Sequence, residues 1–276
     1  KYKKNQNIKF YNLDVSKKIK LVDEYSLIIH GASIASPTYY KKFPIETIKV
    51  NTIGLLNLLD FYKESKKLKN FIYMSSSEVY GDPSPASVPT KEDYNGNVSF
   101  TGPRACYDES KRIGETISIN YFKIHKLPIK IIRPFNVYGP GQNIDDKRII
   151  PDLIKFIKNN KNIEMYSDGK PKRSFCYISD QIRGILEVIF NGDIGEPYNV
   201  GNNQEISMLE AAKSAIKLSK KRINIIMKEN NQKDYNKDSP QRRCPDLKKL
   251  KNIGSWKPKY TFVKGMKKTL EYYNIK

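Results

Sequence analysis

"NFIYMSSS", residues 70–77, is the stretch on which the fold turns. A short apolar and aromatic run stops abruptly in three hydroxyls. Such a run, without polar alternation, is the pattern of a strand buried on both faces, as in a parallel sheet covered by helices. Working outward, "YSLIIHGAS" (25–33) and "IKIIRPFNVYGPG" (129–141) repeat the form, an apolar run ending in small or polar residues. "NIKFYNLDV" (7–15) reads as a further strand. Between these runs, "PIETIKVNTIGLLNLLDFYKESKKL" (44–68) has apolar residues at helical spacing, with Pro44 tolerated near its start. "GPRACYDESKR" (102–112) opens another helix. Strand–helix alternation of this kind predicts an α/β fold with a doubly wound parallel sheet. After Gly141 the pattern loosens. Helices are expected at 148–160 and 181–192, a turn-rich, hairpin-like stretch at 164–180, and a strand leading into a helix at 197–221.

In an open sheet of this class, ligands sit outside the carboxyl ends of the strands. The polar residues there are His30–Ser36, Ser75–Glu78 and Asn136–Gly141. Tyr107 and Lys111 lie four apart on the adjacent helix and so share one face. A lysine ammonium close to a phenol favours the phenolate, and a phenolate poised near neutral pH serves as a general base. Taken alone, a Tyr-x-x-x-Lys spacing in a chain with 19 tyrosines carries little weight. Its position beside three converging strand ends carries more.

Composition narrows the class. The 276 residues suffice for a large core. No apolar run approaches the ~20 residues of a membrane helix. Cys106, Cys176 and Cys244 are odd in number and widely spaced, which argues against a disulfide framework or a metal site and for a reducing cytoplasm. The formal charge of +21 raises the question of nucleic acid. The basic residues are mostly lysines scattered along the chain, without a helix-turn-helix, zinc or aromatic-strand signature. An anionic small molecule accounts for the charge equally well.

Four stretches in order, "MSSSEVYGD" (74–82), "YDESK" (107–111), "RPFNVYGPG" (133–141) and "YNVGN" (198–202), resemble the extended short-chain dehydrogenase/reductases that rework nucleotide sugars. Within that family the chain is most similar to UDP-glucuronate decarboxylases, through "ASIASPTYY" (32–40), "SSSEVYGDP" (75–83), "TGPRACYDESKR" (101–112), "DDKRIIPDLI" (145–154) and "SPQRRCPDL" (239–247). The resemblance implies a tightly held NAD, a UDP-sugar substrate and no metal. It also implies a homodimer built on a four-helix bundle from 44–66 and 105–124. It divides the chain into a Rossmann-like NAD-binding domain at 1–141, to which 173–197 returns, and a nucleotide-sugar lobe mainly at 142–276. Such proteins open with a strand, a Gly-rich turn and a helix that cradle the NAD pyrophosphate. This sequence begins beyond that unit, so a further N-terminal piece is expected; a truly shortened protein would bind NAD weakly or not at all.

Roles follow from the same resemblance. Tyr107 takes the proton from the sugar C4 hydroxyl as hydride leaves for the nicotinamide, Lys111 lowers the phenol's pKa and holds the ribose, and Ser76 bonds the same oxygen. Asp14 and Val15 lie near the adenine, Ala32 and Ser33 along the dinucleotide, and Asn51 in the helix that follows. Ser77 stands where sugar 4,6-dehydratases carry the acid that expels water, which disfavours dehydration, and Glu78 lies near C5. Arg173 meets the anionic groups, and Arg243 grips the diphosphate with Arg242 as its competitor. Asn136, Tyr166, Tyr40, Arg104 and Arg148 complete the substrate set. A 4-epimerase or 4,6-dehydratase, or a degenerate homologue without catalysis, is the alternative reading.

Overall fold

The computed structural model describes residues 7–19, 24–228 and 239–275. Its central sheet has four parallel strands: β1 (Leu27–His30), then, after helices α1 (Pro37–Lys42) and α2 (Pro44–Tyr62), β2 (Asn70–Met74). The long helix α3 (Ala105–His125) leads to β3 (Ile129–Pro134). The chain then leaves through β4 (Val137–Tyr138), α4 (Ile149–Lys158), β5 (Ile163–Met165), β6 (Lys172–Ser174) and β7 (Cys176–Tyr177). After α5 (Ile178–Asn191), β8 (Pro197–Val200) completes the spatial order β1-β2-β3-β8.

The remaining elements are β9 (Glu205–Ser207), α6 (Met208–Ser219), β10 (Ile225–Met227), β11 (Arg242–Arg243), α7 (Lys248–Asn252) and α8 (Phe262–Tyr272). Three small sheets arise: β10 beside β5, β6 between β11 and β9, and β4 beside β7. The stretch 164–180 is therefore not a hairpin. Its strands pair with segments far away in sequence, β5 with β10 in parallel and β6 with β9 and β11. Local turn chemistry does not report such partners.

The reading of residues 7–15 as a strand is also corrected. They run as irregular chain, with Ile8, Phe10 and Leu13 exposed. Apolar alternation becomes a strand only where a neighbour takes up the backbone N–H and C=O groups, and no described strand lies beside this segment. Its end is held by α2 instead, where Asn57 Nδ2 donates to the carbonyls of Val15 (2.9 Å) and Lys17 (3.0 Å). The helix expected to reach residue 68 stops at Tyr62, because beyond it a lysine-rich run offers only Leu68 to the core.

Two cores flank the sheet. On one face Phe71 and Tyr73 of β2 and Ile129 and Ile131 of β3 meet Leu55, Leu59 and Tyr62 of α2. On the other, Ile72, Ile132 and Val200 meet Val188 and Ile189 of α5 and Trp256. A separate core, with Ile154, Ile157, Ala212 and Met266, unites α4, α6 and α8 in the second lobe.

The position of α3 decides the site. Its buried face is Tyr107, Lys111, Gly114 and Ser118, spaced i, i+4, i+7, i+11. Small residues there let the helix press against β2. A Cβ on Gly114 would lie 2.0 Å from the Tyr73 hydroxyl oxygen, and Tyr73 is fully buried and has nowhere to go. Helix propensity alone favours alanine by about 1 kcal/mol. Overpacking should win: Gly114→Ala is expected to destabilise the fold by about 1–3 kcal/mol in urea melts. A neutral or stabilising result would contradict the close approach.

Candidate active site

Tyr107 and Lys111 lie on the buried face of α3 at the carboxyl ends of β1 and β2, each no more than 5% exposed. Lys111 Nζ donates to the carbonyl of Met74 (2.8 Å), the last residue of β2. The same ammonium lies 5.3 Å from the Tyr73 ring centroid and 5.9 Å from that of Tyr107. Burial pushes the Lys111 ammonium down to about 7, against the opposing pull of Glu115. Burial likewise pushes the Tyr107 phenol up to about 12, while a hydrogen bond with Ser76 acts the other way. The expectation, from the resemblance, that Lys111 lowers the phenol's pKa meets here a burial that raises it. Desolvation outweighs proximity for both groups, and the phenol is protonated in this arrangement.

After β2 the chain enters a one-turn 3-10 helix over Ser77–Tyr80, whose N-terminus Ser76 caps by accepting from the Glu78 N–H (3.2 Å). The turn closes on Gly81 at φ 61°, where a Cβ would fall 1.8 Å from the Asn97 carbonyl oxygen. That geometry aims Glu78 into a cluster of charge. Its carboxylate is gripped by Arg104 on one oxygen and Arg243 on the other. Burial alone would raise the Glu78 pKa, but these two guanidiniums hold it well below the usual carboxylate range. Glu78 is ionised. Asp108 behaves oppositely: burial, reinforced by Glu78, pushes it up, although Arg104 Nε lies 3.6 Å away.

Arg243 is 3% exposed and also donates to the carbonyl of Gly81 (3.1 Å). Its neighbour Arg242 turns the other way, onto Glu205 (2.6 Å). Successive residues of a strand face opposite sides, so only one of the pair reaches the cluster. Arg173 donates to the carbonyl of Lys172 (2.9 Å) and makes no ion pair among the described residues. Burial, with Arg243 nearby, lowers its pKa to about 9. Tyr40 stacks on Tyr107 with ring centroids 5.1 Å apart and the planes at 12°, and Arg104 lies over its ring.

The other expected residues divide. Ser77 is buried next to Glu78. Arg148 pairs with Asp146 and acts on the Tyr107 phenol as a nearby positive charge. Ser33 presents a buried hydroxyl without a partner among the described residues, while Ala32 beside it is exposed. Asn51 Nδ2 donates to Ser110 Oγ (2.7 Å) and so ties α2 to α3. Asp14 is exposed and bonds Ser16, and Val15 packs on α2. Asn136 accepts the Cys176 N–H on its backbone carbonyl, and Tyr166 donates to Glu164 (2.8 Å) at the surface. Sequence reasoning missed Asp108, Glu115 and Arg133. Their signals were available: Asp108 follows Tyr107 directly, Glu115 stands one turn beyond Lys111, and Arg133 precedes "PFNVYGPG".

A doubly wound parallel sheet with serine, tyrosine and lysine gathered at its crest defines a short-chain dehydrogenase/reductase. Residues 1–201 match the model of the NAD dependent epimerase/dehydratase family, and the chain belongs to that family. It is 39% identical over 246 residues to UDP-glucuronic acid decarboxylase 3 of Arabidopsis thaliana, covering 89% of this chain and 69% of that protein. It is 36% identical over 270 residues to UDP-glucuronic acid decarboxylase 1 of Danio rerio, covering 98% and 62% respectively. Among solved structures it superposes on UDP-glucuronic acid 4-epimerase from Bacillus cereus, in complex with UDP-glucuronic acid and NAD, with a TM-score of 0.78 and 28% identity, covering 95% of this chain and 79% of that one. UDP-glucose 4-epimerase from Thermotoga maritima shares the fold, with a TM-score of 0.81 and 23% identity, covering 90% and 77%.

The residues present suit the nicotinamide half of NAD. Lys111 Nζ has three donors and one acceptor among the described residues, and the orphaned Ser33 hydroxyl lies at the same crest. Holding Lys111 ready has a cost. Its pKa is depressed from 10.5 to about 7, so the unfolded chain binds the extra proton between those values and stability rises with pH across that window. Lys111→Met should therefore be more stable than the parent at pH 7, by about 1–2 kcal/mol, with the advantage fading toward pH 10. Denaturant melts at the two pH values check this; a variant less stable at pH 7 would contradict it.

Proposed function

We propose that this protein decarboxylates UDP-glucuronate to UDP-xylose through a 4-keto intermediate. The observation that carries the reading is the charge balance around Glu78. Three guanidiniums, Arg104, Arg173 and Arg243, face two carboxylates, one of which, Asp108, is pushed toward its neutral form. Such a pocket suits a ligand bearing both a diphosphate and a carboxylate, since arginine pairs either in bidentate fashion. The named relatives supply the class of reaction.

NAD held at this crest would supply hydride-transfer chemistry at sugar C4. The protein's own groups do the rest. The Tyr107 oxygen, which acts as the phenolate once the cofactor is bound beside a charged Lys111, receives the proton of the C4 hydroxyl, and Ser76 bonds the same oxygen and orients it. The resulting β-keto acid loses CO2 because its electrons flow into the C4 carbonyl; the enolate oxygen is stabilised by Tyr107 O–H and Ser76, C5 takes a proton from solvent, and Tyr107 returns its proton to the C4 oxygen when C4 is reduced again. Glu78, held ionised, gives up no proton; it orients Arg104 and Arg243. Ser77 cannot protonate a leaving hydroxyl at C6, so dehydration is disfavoured.

A 4-epimerase reading has one observation in its favour, the 28% identity to the Bacillus cereus UDP-glucuronic acid 4-epimerase. Both reactions begin with oxidation at C4, and release of CO2 separates them. Full-length protein with NAD and UDP-glucuronate should yield CO2 and UDP-xylose. No CO2, with the carboxylate retained on an epimerised sugar, would overturn the decarboxylase assignment. Tyr107→Phe should lower kcat by roughly 10²–10⁴-fold, and Arg173→Gln should raise KM about tenfold or more.

We assign NAD binding mainly to residues 1–141 with 173–197, and the sugar nucleotide mainly to 142–276. The three cysteines are free thiols and, among the described residues, no helix is long and apolar enough to cross a membrane, which supports a reducing, cytoplasmic setting. We further assign a homodimer through a four-helix bundle of α2 and α3. Its support is the exposure of Ile45 and Ile48 on α2 and Ile113 and Ile124 on α3. The double variant Ile48→Glu/Ile113→Glu should be monomeric by light scattering; a dimer of unchanged mass would refute the interface.

A further inference from the structure

We propose that Glu115 is a positioning residue: fixed by a bidentate pair with Arg133, it bonds the serine at the end of β2 and sets its carboxylate one helical turn from the Lys111 ammonium. This inference rests on the catalytic roles given to Tyr107, Lys111 and Ser76 above. Glu115 stands four residues beyond Lys111 on α3, so both side chains leave the same face of the helix. Arg133, at the end of β3, donates from Nε to Oε1 (2.8 Å) and from Nη2 to Oε2 (2.6 Å) of Glu115. Ser75 Oγ donates to the same Oε1 (2.5 Å). Lys111 Nζ bonds the carbonyl of Met74, the residue before Ser75. Consecutive residues at the end of β2 are thus pinned by the lysine and the glutamate of one helical face, immediately before the catalytic Ser76.

The network continues past the pair. Arg133 Nη1 donates to the Tyr80 hydroxyl and to the Glu92 carbonyl (2.7 Å each), and Tyr80 donates to Asn199 Oδ1 (2.7 Å) on β8. The turn carrying Glu78, the ends of β2, β3 and β8, and the catalytic helix are locked by one ion pair. The charged and titratable groups facing Lys111 can be named from each element around it. Glu115 and Tyr107 come from α3, Tyr73 from β2 and His30 from β1. Burial lowers the His30 pKa to about 4, so it is neutral at working pH. Tyr73, raised by burial, is neutral as well, and Tyr107 is neutral in this arrangement. Glu115, ion-paired with Arg133, is the one carboxylate of the set. Without it nothing among these groups opposes desolvation of the ammonium, and a neutral lysine gives the phenol no help.

The test is titration of Lys111 by ¹³C NMR in lysine-labelled protein, in the parent, in Glu115→Gln, and in Glu115→Gln/Arg133→Met. The double variant removes both buried charges together, which keeps the fold where a lone unpaired arginine would strain it. Lys111 should titrate about one unit lower in both variants. In the single variant kcat should fall while KM for the sugar nucleotide is unchanged, because Glu115 touches no substrate. A Lys111 titration identical to the parent's in the folded double variant would overturn the proposal. The readout is independent of turnover: absence of CO2 release with a shifted Lys111 removes the decarboxylase assignment and leaves this one standing.

Discussion

Removal of water from a phenol and an ammonium at the end of a parallel sheet is the constraint on which the site depends. Tyr107 and Lys111 are almost fully covered because α3 presses on β2 across glycine and serine, and both groups are driven by burial toward their uncharged forms. A base that works near neutral pH requires the reverse for the lysine. The molecule supplies the correction from two sides, a hydroxyl from Ser76 on the phenol and a carboxylate from Glu115 facing the ammonium. The Tyr107–Lys111 pair is a balance of desolvation against placed charge, and the spacing of two residues on a helix is only its precondition.

The same balance is struck differently a few residues away. Around Glu78 three guanidiniums are crowded: burial, and then Arg243, lowers Arg173, and burial with Glu78 pushes Asp108 upward. Unpaired buried charge is costly, and in the proposed function an anionic ligand completes the cluster. In the proposed reaction the two halves of the crevice divide the labour: one side moves a proton, the other holds the negative charge of the substrate.

Much of this architecture was legible in the sequence. The buried strands β2 and β3 announce themselves as continuous apolar runs, and α2 and α3 by their helical spacing, because covered strands and amphipathic helices leave strong patterns. Residues 7–15 carried a strand pattern but form none, since a strand depends on a neighbour that local sequence does not name. The pairing of β5 with β10, and of β6 with β9 and β11, was hidden for the same reason. Arg242 and Arg243 could not be told apart until the register of β11 against β6 turned one toward Glu78 and the other toward Glu205. The direction of the Tyr107 shift is not legible in the sequence because burial, which decides it, is a property of the folded chain. Glu115 was visible in spacing alone, one turn from Lys111, and acquires meaning only with Arg133 opposite.

The central claim, that a charged Lys111 converts a buried phenol into a base once the cofactor is bound, is tested most directly by ¹³C NMR titration of Tyr107 in tyrosine-labelled protein with NAD. The account predicts a Tyr107 pKa below the ordinary value of 10 in the NAD complex of the parent, and a return above it in the NAD complex of Lys111→Met. A phenol that stays above 10 in both complexes would contradict it.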